Sequence, residues 1–258
     1  MSKSKIKSLS DRMKEYESVS DIRLTKRVPV IVRIDGKAFH TYTRGLDKPF
    51  DVILSDAMNY VCIKLVETVQ GCKIAYSQSD EISLLLTDWE KITTDSFFDY
   101  RVQKMASVLA SAATMYFNQF ITQRVLYWKK GTSDEAKELF NKWYKKAGGA
   151  MFDARVYNMP KEDVCNYFIW RQEDASRNSI QSLGRSKFSY NQMLNKSNNE
   201  VQDMLFNEYG INWNYIDTKW KRGFAVYRDD CGIKTDVEIP IFKQDRNFIN
   251  RFLEVPEE

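Results

Sequence analysis

The segment Lys73–Leu86, KIAYSQSDEISLLL, constrains the fold more tightly than any other part of the chain. Two apolar runs of strand length, Cys72–Tyr76 and Ile82–Thr87, flank the polar link Ser77-Gln-Ser-Asp-Glu81. So short a link leaves no room for a crossover helix, so the two strands must pair antiparallel as a hairpin. Its turn carries two adjacent acids, Asp80 and Glu81, and the rest of the chain decides whether they are a solvated turn or part of a metal site.

The preceding segment supplies a strand and a helix. Val28–Ile34 (VPVIVRI) is β-branched and runs into Asp35-Gly36, which suits a buried strand ending at a turn. Leu54, Met58, Val61, Leu65 and Val69 recur at helical spacing between Ser55 and Gln70, and Gly71 is placed to stop that helix. After the hairpin, Val102, Met105, Leu109, Ala113 and Tyr116 mark a long helix from about Phe97 to Gln119. A basic, aromatic-bearing excursion follows over Arg124–Gly149, and Met151–Met159 resumes as a strand. Strand, helix, strand, strand, helix, strand is the βαββαβ order of ferredoxin-like α+β domains. In that topology the first strand lies beside the third, so Asp35 and the hairpin acids share one sheet edge.

The second half is less regular. Pro160 opens a helix to about Glu173, Ser197 and Glu200 form a cap for a helix ending at Gly210, and Gly223–Arg228 with Val237–Phe242 suggests a terminal hairpin. The polar stretch Ser189–Glu200 has a mobile composition. The expected division is a palm-like domain over 1–160, with the 124–149 excursion, and a helical and hairpin region over 161–258 packing on it.

Composition narrows the function only by exclusion. At 258 residues and 43% hydrophobic the chain can bury a substantial core, and a net charge of +4 permits a polyanionic partner without requiring one. Four cysteines without a CxxC pair and a single histidine cannot make a zinc site. The basic start has no apolar core of a signal peptide, and no run approaches the roughly 18 apolar residues of a membrane span, so a cytoplasmic protein is expected.

Two carboxylates on adjacent strand ends make a hard-oxygen site suited to Mg²⁺, and a pair of such ions serves phosphoryl and nucleotidyl transfer. Taken singly, an Asp-Gly or a Ser-Asp-Glu is ordinarily a turn; the topology is what joins them. Arg33 points to the same side of its strand as Asp35, which a buried sheet accommodates only with a charge nearby. Arg101 and Lys104 share one helix face, Arg155 lies in FDAR, and Lys48 sits in the loop after the first strand. His40 is a candidate general base in a loop.

RIDGKAFH (Arg33–His40), KPFD (Lys48–Asp51), AYSQSDEIS (Ala75–Ser83), RVQK (Arg101–Lys104), FDARV (Phe152–Val156) and FNEYGINWN (Phe206–Asn214) together, in this order, resemble the tRNA(His) guanylyltransferase family. The resemblance implies a polymerase-like palm that adds nucleotides to the 5′ end of tRNA in the 3′-to-5′ direction, after ATP activates a 5′-monophosphate. It also implies that Asp35, the Gly36 carbonyl and Asp80 hold two Mg²⁺ ions, with Glu81 as a further catalytic acid. Arg33, Lys48, Ser79, Arg101, Lys104, Arg155 and Asn212 match positions around nucleotides and phosphates, and His40 and Asp51 match positions near the activating nucleotide. ATP, GTP and other nucleoside triphosphates are the implied substrates, a 5′-truncated tRNA the implied partner and a homotetramer the implied assembly. The chain departs from the His-specific pattern after Trp170-Arg-Gln-Glu-Asp174, where Ser176 stands in place of a histidine. That departure points to the guanylyltransferase-like branch, which restores truncated 5′ ends on several tRNAs. A nucleotide cyclase on the same palm and an RNA-recognition module, which shares the βαββαβ order, are the alternatives. The latter wants exposed aromatics on the first and third strands, and VIVRI and ISLLL carry none.

Overall fold

Strand β1 (Val30–Gly36) alternates its side chains between two cores. Val30, Val32 and Ile34 are buried against one layer of helices, and Ile31 against another. In the computed structural model, which describes residues 8–255, β1 is one of six strands. The others are β2 (Cys72–Gln78), β3 (Glu81–Leu86), β4 (Phe152–Asn158), β5 (Phe224–Asp229) and β6 (Gly232–Asp236). The order is β4-β1-β3-β2-β5-β6, and every neighbouring pair is antiparallel. Strands β4, β1, β3 and β2 have the ferredoxin-like arrangement expected from the sequence. The C-terminal hairpin extends the same sheet, so sheet and core run across residue 160.

Ten α-helices surround the sheet among the described residues: α1 (Leu9–Ser18), α2 (Phe39–Tyr42), α3 (Val52–Thr68), α4 (Val102–Lys130), α5 (Asp134–Trp143), α6 (Lys161–Lys187), α7 (Tyr190–Met193), α8 (Asn198–Tyr209), α9 (Thr218–Arg222) and α10 (Asn247–Asn250). Helices α3 and α4 cover one face, burying Met58, Val61 and Leu65 with Met105, Leu109 and Phe117. Each such side chain contributes roughly 1.5–3 kcal/mol on burial. Helix α6 covers the other face, where Val164, Tyr167 and Phe168 pack on Ile31, Tyr76 and Leu85. A smaller cluster joins α6 to α8 through Leu183, Val201 and Leu205.

Several boundaries differ from the sequence reading for identifiable reasons. Helix α6 continues to Lys187 instead of stopping near Glu173, because Ala175, Ile180 and Leu183 extend its buried stripe through an otherwise polar ASRNSIQS run. Strand β6 forms immediately after the turn at Asp230-Cys231, while Val237–Phe242 leaves the sheet; Pro240 there has no N–H to give a ladder. The polar Ser189–Glu200 stretch contains α7 and the start of α8, each with a capping box, at Ser189 and Ser197. Helix α1 was not foreseen, and residues 1–7 of the basic start lie outside the described residues.

The 124–149 excursion is the end of α4, then α5 and a turn, and it braces the α2–α3 loop. Trp143 is fully buried, Lys142 pairs with Asp47 at 2.6 Å, and Lys146 donates to the carbonyls of Tyr42 and Arg44. Tyr42 returns a bond to the Lys146 carbonyl at 3.1 Å.

Gly71 turns the chain from α3 into β2 at φ +75°, and a Cβ there would lie 2.3 Å from the Thr87 carbonyl oxygen. Gly71→Ala should therefore cost about 2–4 kcal/mol, from the left-handed backbone and the backbone clash together. Urea denaturation checks this; an unchanged midpoint would contradict the packing described.

Candidate active site

The β1–β3 register sets Asp35 opposite Glu81, and the Gly36 N–H donates to the Asp80 carbonyl at 3.2 Å. Asp35 and the two-residue turn Ser79-Asp80 thus meet at one sheet edge. Ser79 adopts φ +52°, a left-handed conformation uncommon for serine, and its Oγ donates to an Asp80 carboxylate oxygen at 3.1 Å. Burial, followed by the charges of Asp35 and Glu81, pushes the Asp80 carboxyl up to about 6. Two neighbouring carboxylates in this state are under-compensated, which suits a divalent cation. No group of three or more His, Cys, Asp or Glu side chains converges among the described residues. Asp35 and Asp80 therefore fit a cation that draws its remaining oxygens from backbone, phosphate and water, as Mg²⁺ does.

Glu81 is differently engaged. Its carboxylate takes a bidentate pair from Arg171 of α6, at 2.6 and 2.9 Å, with both side chains more than nine-tenths buried. Burial works against the Arg171 charge, but the Glu81 carboxylate outweighs it and the guanidinium titrates above its ordinary value. Arg171 also holds Asp174 at 2.9 Å, and Asp174 holds Arg177 at 2.9 Å. Glu81 therefore ties the β2–β3 hairpin to α6, whereas Asp35 and Asp80 remain open to a cation.

Arg33 lies 4.0 Å from Glu81, the nearby charge its orientation required, and its buried Nε has no hydrogen-bond partner. Arg155 is its register partner on β4 and stands 3.8 Å from Asp35 and 3.5 Å from Asp153. Two guanidiniums thus flank the Asp35 side of the edge.

On the Asp80 side opens a cavity of about 600 Å³. His40, Lys48, Asp51, Ser79 and Asp80 all line it. Asp51 is buried; its carboxylate caps α3 by accepting from the Leu54 N–H at 2.9 Å and ties down the preceding loop by accepting from the Asp47 N–H at 3.1 Å. The N-terminus of α3, a 17-residue helix, thus points its positive end at the cavity, a setting that favours phosphate. Asn178, Ser179, Ser182 and Arg185 of α6, with Trp220 of α9 stacked on Phe50 at 5.0 Å, complete the walls. The α6 part of this wall lies beyond Glu173, where the sequence pattern ends the helix; the ASRNSIQS run carries most of it.

Three residues matched by resemblance lie elsewhere in the chain. Arg101 and Lys104 start α4 at the opposite end of the sheet, where Arg101 pairs with Asp21 at 2.6 Å and Lys104 lies 4.7 Å from the Phe98 ring centre. The part of α4 at the Asp35 end of the sheet is marked by Thr114 and Asn118, which bond to Phe152 and Ala150. About 20 Å of helix separates Arg101 from that end, so within one chain neither cation joins the carboxylates. Asn212 caps a short turn, accepting from the Asn214 N–H at 3.0 Å, and does not line the cavity.

Comparison with known proteins places this geometry. The sequence profile described as tRNAHis guanylyltransferase matches residues 10–160. The chain belongs to the tRNA(His) guanylyltransferase family. It is therefore a nucleotidyltransferase. A bacterial guanylyltransferase-like protein solved in complex with ATP superimposes with a TM-score of 0.86 at 40% identity, covering 96% of this chain and 100% of that one. A second, solved with GTP, gives 0.75 at 36% identity over 95% and 99%. The tRNA(His) guanylyltransferase of Debaryomyces hansenii is 29% identical over 78% of this chain and 73% of its own length. Among the described residues no helix is long and apolar enough to cross a membrane.

Two outcomes test the charge arrangement of this guanylyltransferase-family site. Because the Asp80 carboxyl is raised in the folded state, its ionisation opposes folding above pH 6, and the penalty fades as pH falls toward 4. In chelator, Asp80→Asn should stabilise the protein by roughly 1–3 kcal/mol at pH 7.5 and by nothing below pH 4. Thermal melts across pH read this, and an Asp80→Asn protein no more stable than wild type at pH 7.5 would contradict it. Arg171→Ala leaves a buried carboxylate and should cost about 3–5 kcal/mol, much of it recovered by adding Glu81→Gln. A double-mutant cycle with no coupling would contradict the pairing.

Proposed function

We propose that this chain is a templated 3′-to-5′ nucleotidyltransferase that adds nucleotides to the 5′ ends of truncated tRNAs. The observation that carries the reading is the meeting of Asp35 and Asp80 at the lip of a cavity lined by Lys48, Ser79 and the N-terminus of α3. The ATP and GTP in the two bacterial relatives support a nucleoside triphosphate in this cavity. In the first step the RNA 5′-monophosphate attacks the α-phosphate of ATP and releases pyrophosphate. In the second, the 3′-hydroxyl of an incoming nucleotide attacks the activated 5′-phosphate and releases AMP.

Asp35, Asp80 and the Gly36 carbonyl would hold two Mg²⁺ ions, which supply a lowered pKa for the attacking hydroxyl and charge stabilisation on the leaving oxygen. The chain's own groups do the rest. Lys48 and the α3 N-terminus receive the triphosphate charge, and Asp51 holds that helix end in place. Arg33 and Arg155, on the Asp35 side, receive the phosphate of the second reactant. Glu81, neutralised by Arg171, anchors the hairpin and leaves Asp80 fixed at the turn. His40 is exposed, and its one side-chain hydrogen bond among the described residues is with the Thr41 hydroxyl at 3.3 Å, which leaves the ring accessible to a nucleotide. Ser176 in place of the family's histidine supports action on tRNAs besides tRNA(His).

Incubation with Mg²⁺, ATP, the four nucleoside triphosphates and a tRNA lacking its first nucleotide should give 5′-end extension by the template-matched nucleotide. Asp35→Ala and Asp80→Ala should each lower the rate at least about 10³-fold while retaining the folded circular-dichroism spectrum. Extension at wild-type rate by either variant would overturn the site. Repair confined to tRNA(His) would overturn the broad specificity.

A further inference from the structure

A second cavity, of about 420 Å³, lies on a different side of α6 from the first. Ser176 and Arg177 line it from α6, Trp213 and Asn214 from the turn that Asn212 caps, and Lys221 and Arg222 from α9. Its lining carries three cations and one acid. Arg177 is paired with Asp174, and the one acid of the lining, Glu173, faces Lys243 at 3.4 Å. Lys221 and Arg222 ion-pair with nothing among the described residues. The Lys221 Nζ donates to the Asn214 carbonyl at 2.6 Å and the Arg222 Nε to the Ile239 carbonyl at 3.2 Å. Burial, followed by the Arg222 charge, lowers the pKa of Lys221, outweighing the opposite pull of Glu238 and Asp217. An anion in the groove relieves this crowding.

Beside the cations stands an aromatic ring. Trp213 is half-buried, its Nε1–H is fixed on Ser179 Oγ at 3.0 Å, and Lys221 Nζ lies 5.8 Å from its centroid. Separate cations beside a fixed aromatic suit a nucleic-acid strand, with phosphates on the cations and a base against the ring. A free triphosphate is better served by the α3 terminus in the first cavity. The ladder Arg177–Asp174–Arg171–Glu81 runs from this groove to the catalytic hairpin in contacts of 2.6–2.9 Å. A strand lying here is therefore held by the same helix that fixes the turn carrying Asp80.

We propose that this groove grips the backbone of the RNA substrate without reading its sequence, with Lys221 and Arg222 on phosphates and Trp213 against a base. The inference rests on the reading of the chain as a tRNA 5′-end nucleotidyltransferase. The small, neutral Ser176 at the groove's α6 wall reads no particular base, which accords with acceptance of several tRNAs.

The test measures the Kd of two 5′-truncated tRNAs of different sequence across a KCl series, and the Kd of ATP, for wild type, Lys221→Ala, Lys221→Glu and Lys221→Arg. Lys221→Ala should weaken both tRNAs by the same factor, roughly five- to tenfold, and lower the salt slope by about one. Lys221→Glu should weaken them further, and Lys221→Arg should restore binding, which a folding defect would not. ATP affinity should stay within about twofold of wild type in all three. A wild-type tRNA Kd and salt slope in Lys221→Glu, or a loss confined to ATP, would overturn the proposal. If the wild-type protein binds tRNA with this Lys221 dependence but extends no 5′ end, the groove stands and the proposed activity falls.

Discussion

The antiparallel pairing of β1 with β3 is the constraint on which the site depends. It sets Asp35 opposite Glu81 and brings the Gly36 N–H to the Asp80 carbonyl, joining residues far apart in the chain. A slip of one residue would send Asp35 and Arg33 into the α3/α4 core and turn Val32 and Ile34 toward α6. The pattern of Val30, Val32 and Ile34 buried on one side forbids that slip, so the hydrophobic code of a strand fixes the position of the proposed metal-binding acid Asp35. The buried Glu81–Arg171 pair then locks the same edge to α6.

Charge balance separates the roles of the three acids. Glu81 has a full counter-ion and Asp35 only a distant one in Arg155, while Asp80 is raised by burial and by its acidic neighbours. The unbalanced pair is the part of the edge that can hold cations. Helix α6 also decides between architectures: it covers the sheet face that an RNA-recognition module keeps open, burying Tyr167 on Ser83 through a 2.7 Å hydrogen bond. With that face closed, the proposed RNA substrate is left the edge and the grooves along α6.

Much of the palm was legible in the sequence because its signals are local. The β-branched run of β1, helical spacing in α3, the short polar link of the hairpin and Gly71 each carry their own geometry. The acids followed from topology alone, since their meeting requires only the strand order. What escaped was set by tertiary contacts. The extent of α6 depends on a buried stripe diluted by serine and asparagine, and the role of Arg171 depends on a partner 90 residues away. The positions of Arg101 and Lys104 escaped for another reason: spacing places residues on one helix face but does not say which end of the sheet the helix starts from. The bracing of the α2–α3 loop by Lys142 and Lys146 is invisible to any local pattern.

The proposed chemistry requires Asp35 and Asp80 to act as one cation site completed by a nucleotide. Mn²⁺ binding followed by electron paramagnetic resonance, with and without a non-hydrolysable ATP analogue, tests it most directly. Wild-type protein should bind Mn²⁺ weakly alone and at least about tenfold more tightly with the analogue, and Asp35→Asn or Asp80→Asn should each abolish that gain. Retention of the full nucleotide-dependent gain in either variant would contradict the claim.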